Sequence, residues 1–94
     1  MTMRFEWDAA KAETNRRKHG VDFAAASRVF DDPLHLSVQD RVENRETRWI
    51  TFGMVNAALV VAVAHTVKDG DDEVIRIISA RHATKQERQR YEQS

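Results

Sequence analysis

The run Leu59-Val60-Val61-Ala62-Val63-Ala64-His65-Thr66-Val67 constrains this chain most. It is β-branched or apolar at odd and even positions alike, so as a strand it must be buried on both faces. The chain has 94 residues, and a chain of that size buries only about 60–65% of its unfolded surface. The expectation is one domain spanning residues 1–94, with this strand inside a sheet. One face of the sheet takes helices. The other needs cover from loops, a further helix or a partner chain.

The flanking patterns supply the other elements. Met3, Phe5 and Trp7 alternate with Arg4 and Glu6, which is the period of a half-buried strand. Asp8 caps a helix that runs to about Lys18 and stops at Gly20. Asp22 caps a second short helix carrying Phe23, Ala26 and Phe30, and Asp31-Asp32-Pro33 ends it. Leu34, Leu36 and Val38 alternate with polar residues as a strand. A charged loop follows, then a strand from Arg48 to Met54, a turn at Asn56, the long apolar strand, a turn at Asp69-Gly70-Asp71, and a strand from Glu73 to Arg81. Thr84 and Glu87 have capping-box spacing and open a last helix that is nearly all polar. The order β-α-α-β-β-β-β-α predicts an α+β domain, with two N-terminal helices packed on an antiparallel sheet.

Lys+Arg and Asp+Glu are both 15, so the net charge is zero. Totals therefore do not mark a basic nucleic-acid binder, but the distribution is uneven. Positive charge gathers at Arg16-Arg17-Lys18-His19 and from Arg76 to Arg90, and negative charge at Asp31-Asp32, Asp40–Glu46 and Asp69–Glu73. Segregated charge can make a basic groove on a neutral protein, although a solvated surface of ordinary ion pairs would have the same composition. There is no cysteine, and His19, His35, His65 and His82 lack metal-ligand spacing, so neither a metal nor another cofactor is expected. The longest apolar run, Ala57 to Ala64, is far short of the ~20 residues that span a bilayer. No apolar stretch at the N-terminus has signal-peptide length, and the expectation is a cytoplasmic protein with no membrane contact.

Several motifs occur in a fixed order: Phe5-Glu6-Trp7-Asp8 with Lys11 and Asn15; Lys18-His19-Gly20-Val21; Phe23, Ala26, Val29-Phe30 and Asp32-Pro33; Glu46 and Arg48 with Gly53; Arg76-Ile77-Ile78-Ser79-Ala80-Arg81 and Ala83; and Glu87-Arg88 with Tyr91. Together they resemble the BrnT family, the toxin half of bacterial type II toxin–antitoxin pairs. The resemblance runs from about Phe5 to Tyr91. It implies a RelE-like fold, a ribonuclease that arrests translation, and neutralisation by a BrnA-like DNA-binding antitoxin.

The residues themselves can be tested against that chemistry. RNA is cut without a metal when a base takes the 2′-hydroxyl proton, cations stabilise the phosphorane and an acid protonates the leaving oxygen. Arginine suits the phosphate because its planar fork binds two oxygens. Arg81, Arg76 and Arg48 are the candidates for phosphate. Arg76 and Arg81 are five apart, so an ideal strand points them to opposite faces unless it bulges. Edge or cross-strand ion pairs are the competing roles for Arg76 and Arg48. His65, Lys18 or Tyr91 would carry the proton or contact RNA. His65 closes an apolar strand, where a histidine is more often a satisfied structural residue than a base. His19 is a candidate for RNA contact, and the competing role for Lys18 and His19 is to complement the C-terminal dipole of the first helix. Arg88 and Tyr91, three apart on one helical face, fit phosphate contact and base stacking; the competing role for Tyr91 is to pack its helix down. The reading that results is a metal-independent ribonuclease toxin held by an antitoxin, in a hetero-oligomer or self-associated. The alternatives are a non-catalytic co-repressor subunit and a module that binds RNA without cutting it.

Overall fold

The computed structural model describes residues 3–56 and 59–93. Strand β1 (Met3–Glu6) leads into helix α1 (Ala9–His19), the single-turn helix α2 (Phe23–Ala26) and a 3-10 segment, Ser27–Asp31. Strands β2 (Leu36–Glu43), β3 (Glu46–Asn56), β4 (Leu59–Lys68) and β5 (Glu73–His82) follow, then helix α3 (Lys85–Gln93). The element order is the one the patterns predict.

Local chemistry sets the helix ends. The Asp8 carboxylate accepts from Lys11 N at 3.0 Å, and Gly20 (φ 72°) ends α1 with its N–H on Arg16 O at 2.8 Å. The second helix is shorter than its pattern. Its α-turn tightens into 3-10 geometry after Ala26, where the chain must press against β3. There Gly53 leaves room for Val29: a Cβ on Gly53 would stand 2.7 Å from Val29 Cβ.

The sheet has five strands in the order β1-β5-β4-β3-β2. Strands β2 to β5 form the antiparallel meander expected from their short connections. Strand β1 corrects the expectation of a wholly antiparallel sheet, because it pairs parallel with β5, Phe5 opposite Ile75. Alternation of side chains identifies a strand but carries no information on its direction. The helices take the chain from β1, at one edge, across a face of the sheet to β2 at the other.

The charged stretch Asp40–Glu46 is mostly strand and not loop. Asn44 (φ 52°) and Arg45 (φ 65°) make a two-residue left-handed turn, and β2 and β3 run up to it on either side. Leu34 falls outside β2 and is 66% exposed. Asn56, expected at a turn, is the last residue of β3, and residues 57–58 lie outside the described residues.

Strand β4 is buried on both faces, as its composition demands. Val61 and Val63 meet Val21, Phe23, Ala26, Val29, Ile75, Ile77 and Ala80 beneath α1 and α2. Val60 and Ala62 meet Phe52 and Tyr91 beneath α3. Each fully buried Val or Phe contributes roughly 1.5–3 kcal/mol of transfer free energy.

Strand β5 carries the irregularity that matters for the site. Ala64 pairs with Ser79 but His65 pairs with Ile77, so Ile78 is an extra residue, a β-bulge. Ile75, Ile77 and Ala80 all point into the helix-side core, which an unbroken alternation would forbid. Asn15 of α1 fixes the distortion. Its side chain donates to Ala80 O at 2.7 Å and accepts from Ala80 N at 3.1 Å, as a neighbouring strand would. It also donates to Val21 O at 3.2 Å.

Candidate functional site

The bulge brings Arg76 and Arg81 to one face. Arg81 pairs with Ala62 and Arg76 with Thr66, both on the face of β4 that α3 partly covers. Arg48 lies on the same face, since it precedes Trp49, whose partner is His65, and so falls in line with Thr66. Two strands, β5 and β3, therefore contribute three guanidinium groups to the surface opposite α1 and α2.

Each guanidinium already has an acidic neighbour. Arg81 Nη1 and Nη2 donate to the two oxygens of Glu87 at 2.7 and 3.0 Å. Glu87 also accepts from Thr84 N at 2.9 Å in the capping box. The Arg81 fork, with these helix-cap bonds, holds the Glu87 carboxyl down at about 2. Hydrogen bonding to Glu87 in turn raises Arg81 above the ordinary guanidinium range. The Arg81 side chain is still 37% exposed, and its Nε–Nη2 edge is not the edge that Glu87 occupies. Arg76 Nη1 lies 3.3 Å from Glu6 Oε1, an exposed pair that contributes little to stability. Arg48 is 21% exposed and its Nε stands 3.6 Å from Glu43.

Lys18 and His19 stand at the outer edge of β5, beside Ile78 and Ser79. Strand β1 stops at Glu6, opposite Arg76. Beyond that point the outer edge of β5 meets α1 through Asn15. There Lys11, Thr14, Lys18, His19, Ile78 and Ser79 line a cavity of about 340 Å³. Ser79 is shared, because it pairs with Ala64 on the arginine face and also lines this cavity.

Two candidates are placed elsewhere. His65 sits on the helix side of the sheet, 3% exposed, with Nε2 2.7 Å from Thr51 Oγ1 and its ring edge-on to Phe30. Burial pushes its pKa down to about 4, so it is neutral at pH 7. It cannot reach an anion on the arginine face. Tyr91 is 6% exposed and packs on Phe52, Val60 and Ala62. Its hydroxyl donates to Asp32, and burial together with that carboxylate pushes it up to about 12. Burial alone would raise Asp32, but the bonds from Tyr91, Met54 N–H and Leu34 N–H hold it below the usual carboxylate range. Tyr91 therefore anchors α3 and presents no ring for stacking. Arg88, on α3, lines a separate recess of about 430 Å³ with Met54, Val60, Lys85, Gln89 and Glu92.

Sequence reasoning missed Glu87 as the partner of Arg81, because the capping box accounts for that glutamate alone. It also missed Asn15 as the clamp on the bulge. The only signal for it was a polar residue on the inward side of a helix.

The arrangement can hold phosphate oxygens and stabilise added negative charge. The carboxylates beside the arginines, Glu87 and Glu6, are engaged in ion pairs, and at the β5 edge Lys18 and His19 line the neighbouring cavity. The family model for "Ribonuclease toxin, BrnT, of type II toxin-antitoxin system" matches residues 7–87. The fold is similar to the crystal structure of the ribonuclease toxin BrnT of Brucella abortus, with a TM-score of 0.61 at 24% identity over 90% of this chain and all of that one. No curated protein matches the chain.

Proposed function

The chain belongs to the BrnT family of ribonuclease toxins of type II toxin–antitoxin systems, and from that premise we propose a metal-independent endoribonuclease that cuts RNA on the arginine face of its sheet. The observation that carries the proposal is the bulge at Ile78, which turns Arg76 and Arg81 to one face. The RelE-like fold that the resemblance implies is part of the proposal: one face of a small sheet meets RNA while helices cover the other.

In this mechanism Arg76 and Arg81 hold the scissile phosphate and stabilise the phosphorane, where charge accumulates. Arg81 binds through its Nε–Nη2 edge while Glu87 aligns the other edge. Arg48 holds the strand further across the sheet. Lys18 and His19 exchange protons with the attacking 2′-hydroxyl and the leaving oxygen at the β5 edge, and an imidazole suits that exchange near neutral pH. His65 and Tyr91 are assigned to structure. Arg88 contacts the RNA backbone beyond the cut. In this reading the protein's own cations supply the positive charge that the phosphorane needs. The enzyme acts in the cytoplasm, arrests translation, and is neutralised by a BrnA-like DNA-binding antitoxin.

The test is cleavage of single-stranded RNA in excess EDTA. The expected products carry 2′,3′-cyclic phosphate ends, and a 2′-deoxy substitution at the cut site should block cleavage. Activity lost on chelation and restored by Mg²⁺ or Mn²⁺ would overturn the mechanism. One observation favours a second reading, a non-catalytic subunit that only binds a DNA-binding partner: Glu87 occupies the Arg81 fork. Growth arrest with loss of RNA on induction separates the two.

A further inference from the structure

Arg41 and Arg48 stand directly opposite each other across β2 and β3. Like charges so placed repel, and such a pair destabilises a sheet. One carboxylate serves both: Glu43 Oε2 is 3.0 Å from Arg41 Nε and 3.6 Å from Arg48 Nε. The second distance is too long for a hydrogen bond, and Arg48 Nε is buried with no hydrogen-bond partner among the described residues. A buried N–H of this kind is uncommon in a folded protein and points to a missing acceptor. The line that holds Arg48 continues through Thr66 to Arg76. The adjacent line, Val38, Ile50, Ala64 and Ser79, is half-buried and mostly apolar.

We propose that Arg41 and Arg48 form a second phosphate subsite, which holds a phosphodiester of the RNA strand away from the bond that is cut. The inference rests on the RNA-cleaving reading above and extends it to a path. Cutting takes place at β5, the sheet's arginine-bearing outer region. The subsite lies two to three strands away, about 10–14 Å at the usual strand spacing. Between them Val38, Ile50 and Ala64 make an apolar floor for unpaired bases, so the substrate is single-stranded RNA crossing the sheet from β5 to β2. A bound phosphate relieves the repulsion between the two arginines, and Arg48 Nε, closed off in the free chain, gains an acceptor when its side chain turns toward the phosphate.

The experiment uses the whole chain and a 2′-O-methyl single-stranded oligonucleotide, which cannot be cut by attack of a 2′-hydroxyl. Arg41→Gln should weaken its binding at least fivefold at low salt and reduce the salt slope by about one contact. Arg45→Gln removes the same charge at the hairpin turn and should leave both near wild type. The melting temperature of free Arg41→Gln should equal or exceed that of wild type, because a repulsion is removed. Inorganic pyrophosphate should raise the melting temperature of wild type but not of Arg41→Gln. Wild-type binding by Arg41→Gln, an equal loss in Arg45→Gln, or a fall in melting temperature with Arg41→Gln would overturn the subsite. If wild type neither binds nor cuts RNA, the RNA reading fails. The pyrophosphate shift then decides the subsite alone: its presence upholds an anion site at Arg41 and Arg48, and its absence removes it.

Discussion

Arg81 joins two tasks in one side chain. Its end-on edge braces α3 through Glu87, and its other edge faces the surface where phosphate is proposed to sit. Arg81→Ala removes a charge-assisted contact of about 1.5–3 kcal/mol. If that contact strengthens in the transition state, RNA cleavage falls at least tenfold, since about 1.4 kcal/mol is a factor of ten. Activity and melting temperature should be measured together. Lost cleavage with an unchanged melting temperature supports a site, whereas loss that merely tracks unfolding leaves Arg81 as a brace. His65 yields a prediction of a different kind. Its pKa is about 4 in the fold and near 6.5 unfolded, so the unfolded chain binds the extra proton first. Its contribution is complete above about pH 6.5 and is lost as pH falls toward 4, up to roughly 3 kcal/mol. Urea midpoints between pH 7.5 and 4.5 should drop steeply for wild type and more gently for His65→Gln; equal slopes would refute the assignment. The sequence identified the residue types that matter here, but it could not tell which were already engaged. Arg81, Arg76 and Tyr91 were legible as candidates. Their partners Glu87, Glu6 and Asp32 come from elsewhere in the fold.

At the scale of elements, the bulge on β5 and the helix α3 decide what the sheet presents. The caps at Asp8 and Asp22, the stop at Gly20, and the capping box of Thr84 and Glu87 were all readable, because each is set within a few residues of chain. The bulge was not readable. It depends on Asn15 reaching a strand 65 residues away, and alternation alone predicts the opposite facing of Arg76 and Arg81. Two substitutions test the packing of elements. Gly53→Ala forces a Cβ to 2.7 Å from Val29 Cβ and 2.8 Å from Val29 O. It should cost about 1–3 kcal/mol as overpacking, read as a lower melting temperature; an unchanged value would show that the 3-10 segment can shift freely. Tyr91→Phe removes the bond to Asp32 and should cost about 1–2 kcal/mol. Faster amide exchange in α3 than in the sheet would locate that loss, and uniform exchange would count against Tyr91 as the anchor.

For the whole molecule, the pattern led to a two-layer α+β reading in which the second face of β4 still needed cover from loops, the last helix or a partner; α3 supplies a thin part of that cover, which makes a third layer. The direction of β1 was illegible because a parallel and an antiparallel edge strand bury the same alternating side chains. Strand β2 closes the far edge of the sheet, and Val42 there is 61% exposed. With so light a cover on one face, the chain should be obtained well only with its antitoxin or as a disabled variant. Size-exclusion of the free chain should show self-association, and a well-expressed, harmless monomer would contradict the expectation. The parallel pairing of β1 with β5 has one more consequence, for timing. Met3 meets Glu73, and Asn15 meets Ala80, so the arginine face depends on contacts between the two extremes of the described sequence. Contacts so distant along a chain are slow to form, because a long loop must close before they contribute anything. During synthesis the N-terminal strand and helices emerge first and wait without a partner. If the arginine face is the site proposed above, a nascent or cleaved chain lacking residues 76–82 should leave RNA intact, since Arg76 and Arg81 take their places only when these distant contacts close.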